Sequence, residues 1–170
     1  LTRLNAPVID TGSFSAILTG AIGGTGGVSK QGSGTLTFAG ADNYSGATNV
    51  AAGTLRAGAM NTLSAASAHS VATGATLDLA GFNQTVAAMT NSGTVVLRGA
   101  APGTVLTVAG NYAGNGGMLE LATTLGGDSS PTDRMVVAGD TSGSTNVRVI
   151  KAGGIGAPTT EGIKLVEVGG

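Results

Sequence analysis

The sequence predicts an all-β fold in which short strands wind into a β-solenoid, and two observations lead to this prediction. A Gly-Thr or Gly-Ala motif followed by alternating apolar residues recurs, and its first four copies are separated by 19, 21 and 19 residues. A repeat of about 20 residues is typical of one solenoid coil. Each run is short and alternates with period 2, which indicates strands rather than helices. The copies are Gly34–Phe38, Gly53–Ala57, Gly74–Leu79, Gly93–Leu97 and Gly103–Val108.

The alternation also predicts which side chains face the interior. Leu77 and Leu79 are expected on the core side with Asp78 opposite, and Leu36 and Phe38 are expected to point inward in the first copy. Such a strand cannot bury its apolar face alone, so the next coil must stack on it. Gly and Asn tolerate positive φ and mark the corners between strands. The predicted corners are 39–43, 57–61 and 80–83.

The composition fits a narrow interior and excludes several classes of protein. The 170 residues include 31 Gly and no Cys, aromatics are only 3%, and the apolar residues are mainly Ala, Val and Leu. A net charge of −1 argues against disorder. Sparse Lys and Arg argue against a nucleic-acid partner or an anionic membrane partner. No apolar run approaches the ~18 residues of a transmembrane helix. The absence of cysteine fits passage through the periplasm, and it fits the cytosol equally well.

The chain divides into two predicted regions. Residues 1–125 are expected to form the solenoid coils, and residues 126–170 a C-terminal cap that protects the unpaired strand edges of the last coil. Residues 59–71 are rich in Ala and Ser and are expected to form a longer loop or short turn. The start at Leu1, without Met, indicates a fragment of a longer protein.

The cap region contains three predicted strands, Arg134–Ala138, Asn146–Lys151 and Gly162–Val168. The segments that separate them, 139–145 and 153–161, have the composition of hairpin connections. The sequence therefore predicts a hairpin-type cap.

Two passages carry a resemblance to known proteins. The stretch from Gly26 to Gly40, continued by Tyr44–Val50 and Ala52–Leu55, resembles the passenger-associated transport repeat of autotransporters. The stretch from Asp133 to Gly139, with Val147–Val149, Gly153–Gly156 and Gly162–Val168, is similar to the C-terminal passenger region of the pertactin-like family. In that family an autochaperone segment precedes the membrane β-barrel.

The resemblance implies a right-handed parallel β-helix at the bacterial surface, in which C-terminal coils leave the cell first and template those behind them. The implied function is a structural stem and autochaperone, with adhesion to host matrix or neighbouring cells as the alternative. The implied partners are the N-terminal coils of the same passenger and the outer-membrane barrel of the same polypeptide, and the chain is expected to be a monomer without an enzymatic role. Val136, Val149 and Leu165 are expected core residues, whose replacement by charged residues should reduce surface display.

Candidate catalytic side chains are few. His69 is the sole histidine and is interpreted as a solvated loop residue, because a dyad or a metal site would need further partners. A glycosidase would need two carboxyl groups on one face about 5 to 9 Å apart. Turn aspartates usually cap backbone amides, so these carboxylates are interpreted as structural. The candidates are Asp42, Asp78, Asp128, Asp133 and Asp140.

Three other patterns also favour a structural interpretation. The Gly-rich stretch 20–34 contains Lys30 but lacks the spacing and the following helix of a phosphate-binding loop. Residues 23–28 lack the aspartate of a calcium-binding nonapeptide repeat. Tyr44 and Tyr112 are each followed closely by Gly and are interpreted as packing residues rather than a ligand platform. The sequence therefore predicts no catalytic, cofactor-binding or metal-binding residues.

Overall fold

The computed structural model describes residues 7–170, and within them it contains sixteen β-strands and no helix. The expectation based on the start at Leu1 lies outside the described residues. The strands are β1 Val8–Asp10, β2 Ala16–Leu18, β3 Val28–Gln31, β4 Thr35–Phe38, β5 Thr48–Val50, β6 Thr54–Ala57, β7 Ala68–Val71, β8 Thr76–Asp78, β9 Gln84–Val86, β10 Ala88–Asn91, β11 Thr94–Val96, β12 Val105–Val108, β13 Tyr112–Thr124, β14 Arg134–Val137, β15 Thr141–Gly153 and β16 Val166–Val168.

The pairing of the named strands is parallel throughout and arranges them in three faces. The first face stacks β1, β3, β5, β7 and β10, followed by the beginnings of β13 and β15. The second face stacks β2, β4, β6, β8 and β11, followed by the later parts of β13 and β15. The third face stacks β9, β12, β14 and β16. This arrangement confirms the predicted parallel β-helix.

The repeated motif corresponds to the second face. Leu36, Leu55, Leu77 and Val95 from the first four copies are successive register partners. The fifth copy does not continue this stack, because Leu106 of β12 pairs with Gln84 on the third face. The similar local pattern of that copy therefore belongs to a different side of the solenoid.

The glycine that opens the motif is required for different reasons in different copies. At Gly34 a Cβ atom would collide with the backbone of Phe14 in the preceding coil. At Gly74 there is open space, but φ is +81°, a conformation that L side chains rarely adopt. Close approach between coils and the left-handed backbone region both select glycine at this position.

The predicted alternation of side chains is confirmed on the second face. Leu36, Phe38, Leu77 and Leu79 are fully buried, and Asp78 lies on the outer side. Stacked rows of such residues form one continuous core along the solenoid. Burial of leucine, valine and small residues stabilises each coil only when its neighbour is present.

The first face was largely missed, because polar side chains interrupt its inward-facing row. Val28, Thr48, His69, Met89 and Tyr112 are successive register partners, and all five are buried. A row of this composition has no continuous apolar alternation. For the same reason the predicted loop 59–71 is wrong at its end, where residues 68–71 form β7.

The hairpin-type cap is also wrong. β14 pairs in parallel with β12 and β16, and β15 pairs in parallel with β13. Residues 141–145, expected in a hairpin connection, belong to β15. Within residues 7–170, antiparallel pairing is confined to an isolated bridge between Thr123 and Thr132. The C-terminal region therefore continues the solenoid.

Two of the three expected core residues of this region are also misplaced. Val136 points outward between Met135 and Val137, which are the buried residues of β14. Val149 is 45% exposed although its register partner Leu121 is fully buried. Leu165 is half-buried and packs against the core. The physical reason for the first error is the period of 2, in which a shift of one residue exchanges the two sides of a strand.

Candidate functional site

His69 lies in the interior and not in a solvated loop as predicted. It belongs to β7, is 2% exposed, and its Nδ1 lies 3.0 Å from the carbonyl oxygen of Ser67. Its Nε2 has no hydrogen-bond partner among the described residues. Burial lowers the pKa of His69 to about 4, since a charged imidazole loses hydration there. His69 is therefore a neutral core residue at pH 7.

Asp133 connects separate parts of the C-terminal coils. Its carboxylate is fully buried and accepts hydrogen bonds from the backbone N–H groups of Gly103, Thr104 and Ala122, at 2.8 to 2.9 Å. These amides lie before β12 and within β13. A buried carboxylate bound by three amides is a structural connection between coils, in agreement with the capping role expected for turn aspartates.

Asp128 forms a second connection, at the surface. Its carboxylate accepts hydrogen bonds from the N–H groups of Thr160 and Gly162, at 2.9 to 3.1 Å, and these bonds lower its pKa. It therefore binds the segment between β15 and β16, whereas Asp133 binds other segments. The possibility that Asp128 and Asp133 form a catalytic pair is not supported by these contacts.

The other candidate carboxylates are also separated. Asp42 is buried, its Oδ1 accepts a hydrogen bond from Ile22 N at 2.7 Å, and burial raises its pKa. Asp78 lies 3.5 Å from Arg56 on the outer side of the second face. Asp140 is exposed, and its backbone carbonyl accepts the N–H of Tyr112.

The buried tyrosines belong to hydrogen-bond networks between coils. The Tyr44 hydroxyl lies 2.6 Å from Thr48 Oγ1, which lies 2.8 Å from Ser67 Oγ in the following coil. The Tyr112 hydroxyl lies 2.9 Å from Thr145 Oγ1 and accepts a hydrogen bond from Asn91 Nδ2 at 3.3 Å. Each network satisfies polar groups that the first face buries.

Lys30 lies in the passage that resembles the passenger-associated transport repeat, and it has a structural role there. Its side chain is fully buried, and its Nζ donates to the carbonyl oxygens of Gln31, Gly32 and Ala52, at 2.8 to 3.1 Å. Burial lowers the pKa of Lys30, and the nearby charge of Asp10 partly opposes this shift. A lysine with all three donors used on backbone carbonyls holds two coils together and has no donor left for a phosphate.

Sequence reasoning missed a charged ladder on the second face. Arg98 and Arg148 both bind Glu120, and Arg56 and Asp78 are register partners. Asp78 and Glu120 both pair with Val96, so two strand spacings of about 4.8 Å separate their backbones. The repeat period could have predicted this ladder, because it places residues about 20 positions apart next to each other in successive coils.

Both carboxylates of this ladder are bound by arginine. Glycoside hydrolysis needs a protonated carboxylic acid beside a carboxylate. The ladder therefore favours a structural role over acid–base chemistry. Among residues 7–170, no three side chains capable of binding a metal ion cluster together. No helix in this part of the chain has the length and hydropathy to cross a membrane.

The last coil exposes the row of side chains that is buried elsewhere, and we call this surface the C-terminal end face. It consists of Val147, Val149, Val166 and Val168, which are 40 to 47% exposed. Their register partners in the coil above are Leu119, Leu121, Met135 and Val137, all buried. The end face thus has the apolar pattern of the solenoid interior without a covering coil in the described chain.

Comparisons with known proteins agree with this geometry. The model of the family described as Autochaperone Domain Type 1 matches residues 84–170, and that of the passenger-associated transport repeat matches residues 28–57. The adhesin BmaC autotransporter of Brucella suis is 43% identical over 95% of this chain and 4% of its own length. An uncharacterized protein of Escherichia coli K12, YuaQ, is 42% identical over 86% of this chain and 11% of its own.

A third relative is the autotransporter adhesin AIDA-I of Escherichia coli, which is 42% identical over 40% of this chain and 5% of its own length. The chain therefore spans only a small part of the curated relatives that it matches. The match to the passenger-associated transport repeat, residues 28–57, contains Lys30. The match to the autochaperone family, residues 84–170, contains Asp133 and the C-terminal end face.

Proposed function

The chain belongs to the Autochaperone Domain Type 1 family, and from this premise we propose that it is the structural stem and autochaperone of an autotransporter passenger. Passengers of this kind are exported to the cell surface or the extracellular space. In this role the chain promotes the folding of more N-terminal coils and, through folding, their secretion across the outer membrane.

The proposal rests on the extensive strand pairing and buried hydrogen bonds within residues 84–170. β13 and β15 are thirteen residues long and pair through most of their length, whereas β1 to β8 have three or four residues each. Asp133 adds hydrogen bonds to amides at positions 103, 104 and 122. Long pairing and buried polar connections favour a unit that folds before the shorter coils.

A folded unit of this kind supports directional folding. β10 and β11 belong to the unit, and they pair with β7 and β8 of the preceding coil. Once the unit is formed, its strand edges lower the cost of nucleating that coil, and each new coil does the same for the next one. Folding that proceeds outside the cell also prevents return of the chain, which favours export without ATP.

The test uses two variants of the full-length autotransporter that contains this segment. Leu121→Asp places a charge in the core of the C-terminal coils, and Leu36→Asp places the same charge in an equally buried position of the N-terminal coils. We expect Leu121→Asp to abolish protease-resistant passenger at the cell surface. We expect Leu36→Asp to leave residues 84–170 protease-resistant and displayed, because folding starts downstream of that position. Surface proteolysis followed by mass spectrometry measures both outcomes.

Equal effects of the two variants would contradict a directional role. A passive stem predicts that each charge disrupts only its own neighbourhood, so Leu121→Asp would then leave the N-terminal coils resistant.

The second candidate function is adhesion. Two of the relatives are named as adhesins. Deletion of residues 126–170 separates the two functions and also tests the proposed division after residue 125. A chaperone role predicts loss of the whole folded passenger, whereas an adhesive role predicts display of a passenger that no longer binds cells or matrix.

The proposed partners follow from the stem role. They are the N-terminal coils of the same passenger, which would stack on β1 and β2, and the outer-membrane barrel of the same polypeptide. We further propose that the chain acts as a monomer without an enzymatic role. Sedimentation of the purified chain at several concentrations tests the monomer, and a concentration-dependent dimer would contradict it.

A further inference from the structure

A cleft of about 400 Å³ lies beside the third face. Val105 of β12 and Arg134 of β14 line it, and these two residues are register partners on the outer side of their strands. The segment between β13 and β14 contributes one wall, and the segment between β15 and β16 contributes the other. Ser129 and Thr132 lie in the first wall, and Glu161 and Lys164 lie in the second.

The two walls are held in place by backbone contacts. Asp128 in the first wall accepts hydrogen bonds from the N–H groups of Thr160 and Gly162 in the second. Ser130 closes a turn by donating its N–H and its hydroxyl to the carbonyl oxygen of Gly127, at 3.0 and 2.7 Å. The cleft is therefore preformed, which reduces the entropy cost of binding a ligand.

The two cations of the cleft differ from the arginines of the charged ladder in their partners. Arg56, Arg98 and Arg148 each bind a carboxylate of the chain. Within residues 7–170, neither Arg134 nor Lys164 lies within 4 Å of a carboxylate oxygen. Asp128 does not supply one, since its carboxylate is bound to backbone amides. Glu161 lines the same cleft but forms no ion pair with either cation, and two cations without an ion pair in one preformed cleft indicate a ligand with an anionic group.

The other lining residues limit the kind of anion. Among the lining residues that the structure describes, Val105 and Pro131 are the only sizeable apolar ones and none is aromatic, so the cleft suits neither a lipid chain nor an apolar peptide. Ser129 and Thr132 supply hydroxyl groups, and Glu161 supplies an acceptor for hydroxyl donors. We propose that this cleft binds a carboxylate-bearing saccharide, with Arg134 and Lys164 on the carboxylate and Glu161 on sugar hydroxyls. This site is independent of the stem role, and its failure would leave that role unaffected.

The test measures binding of trigalacturonate to the 170-residue chain by NMR titration, with the uncharged methyl ester of the same trisaccharide as the ligand control. We expect NMR chemical-shift changes at Arg134, Glu161 and Lys164. The binding affinity should fall as salt is added. Lys164→Gln should weaken binding about 10-fold, because it removes one charge-assisted contact. Lys151→Gln is the matched control, since Lys151 is exposed on β15 and does not line the cleft.

A second variant removes the other cation of the cleft, and its fold is checked separately. Arg134→Gln should abolish measurable binding, and circular dichroism with thermal unfolding shows whether the fold is retained; Lys164 is exposed, so its variant tests the site even if the Arg134 variant unfolds. Equal binding of the methyl ester, equal loss in Lys151→Gln, or no binding of trigalacturonate would overturn the proposal. Stronger binding of a sulfated tetrasaccharide or of a hexa-aspartate peptide would overturn the assignment of a carboxylate saccharide.

Discussion

The coils before residue 84 and those after it share one parallel architecture but differ in how they are held together. In the first region, strands of three or four residues are joined by single buried groups such as Lys30 and the Tyr44 network. In the second, β13 and β15 run around a corner without interruption and cover two faces each. The pairing of β13 with β15 shifts register between Asn115 and Met118, where the two strands pass from the first face to the second.

This difference indicates how a solenoid acquires a direction. Every coil needs a neighbour to bury its apolar row, but a long paired strand supplies more of that burial within one pair of coils. We therefore expect the second region to be the more stable, and the first to depend on it. Four substitutions test this expected difference in stability.

The largest effect is expected for Asp133→Ala. The change removes the acceptor of the Gly103, Thr104 and Ala122 amides, and Thr104 and Ala122 are buried. We therefore expect a loss of about 4 kcal/mol in the free energy of unfolding. Chemical denaturation of the 170-residue chain measures it. Asp133→Asn should lose less, because its amide oxygen can still accept from Gly103 and Thr104. The control Asp140→Ala should change little, and an equal loss there would contradict a special role for Asp133.

The next effect depends on pH and belongs to the first region. The folded chain protonates His69 only near pH 4, whereas the ordinary value is 6.5. Protons therefore favour the unfolded chain as the pH falls from 6.5 to 4, and this residue alone should lower the free energy of unfolding by about 2 kcal/mol at pH 5.

The comparison variant is His69→Met, which copies Met89 at the register position of the next coil. Subtracting its pH profile removes contributions from other groups, including Asp42, whose raised pKa acts in the opposite direction. Parallel profiles for the two proteins between pH 7 and 4 would show that His69 does not have the lowered pKa.

A similar or smaller effect is expected for Lys30→Met, also in the first region. The change removes three charge-assisted hydrogen bonds to backbone carbonyls while keeping an apolar stem, and we expect a loss of about 2 kcal/mol. Hydrogen exchange should show increased opening of β3 and β5 with β13 still protected. Opening that extends equally into β13 would mean that the two regions unfold as one, and Lys151→Met serves as the exposed control.

The smallest effect is expected for Arg148→Ala in the charged ladder. Arg148 is 66% exposed, and an exposed ion pair contributes about 0.5 kcal/mol or less. Arg56→Ala in the first region should have an equally small effect, measured by thermal unfolding. A large loss in Arg148→Ala together with a small loss in Arg56→Ala would show that the ladder, rather than strand length, distinguishes the two regions.

The predicted and the observed interior residues agree on one face and differ on another, and the polarity of the interior side chains explains why. The second face was predicted closely, because leucine and valine alternate there with polar residues after a glycine. The first face was missed, because Lys30, Thr48 and His69 occupy interior positions that only their hydrogen-bond partners make tolerable. The proposed saccharide cleft had no local signal, since Arg134 and Lys164 lie in segments that only the stacking of two coils brings together.

The β-solenoid, its period of about 20 residues and the apolar row of the second face could be predicted from the sequence alone, because they depend on local alternation that repeats at nearly regular intervals. The parallel β-helix was implied by the family resemblance. The resembling passages also identified the family. Three features became visible only in the folded chain: the face that each run joins, the parallel stacking of the C-terminal strands, and the binding of three distant amides by Asp133. Those features depend on coil lengths that vary from coil to coil, and one extra residue in a corner changes which side chains meet.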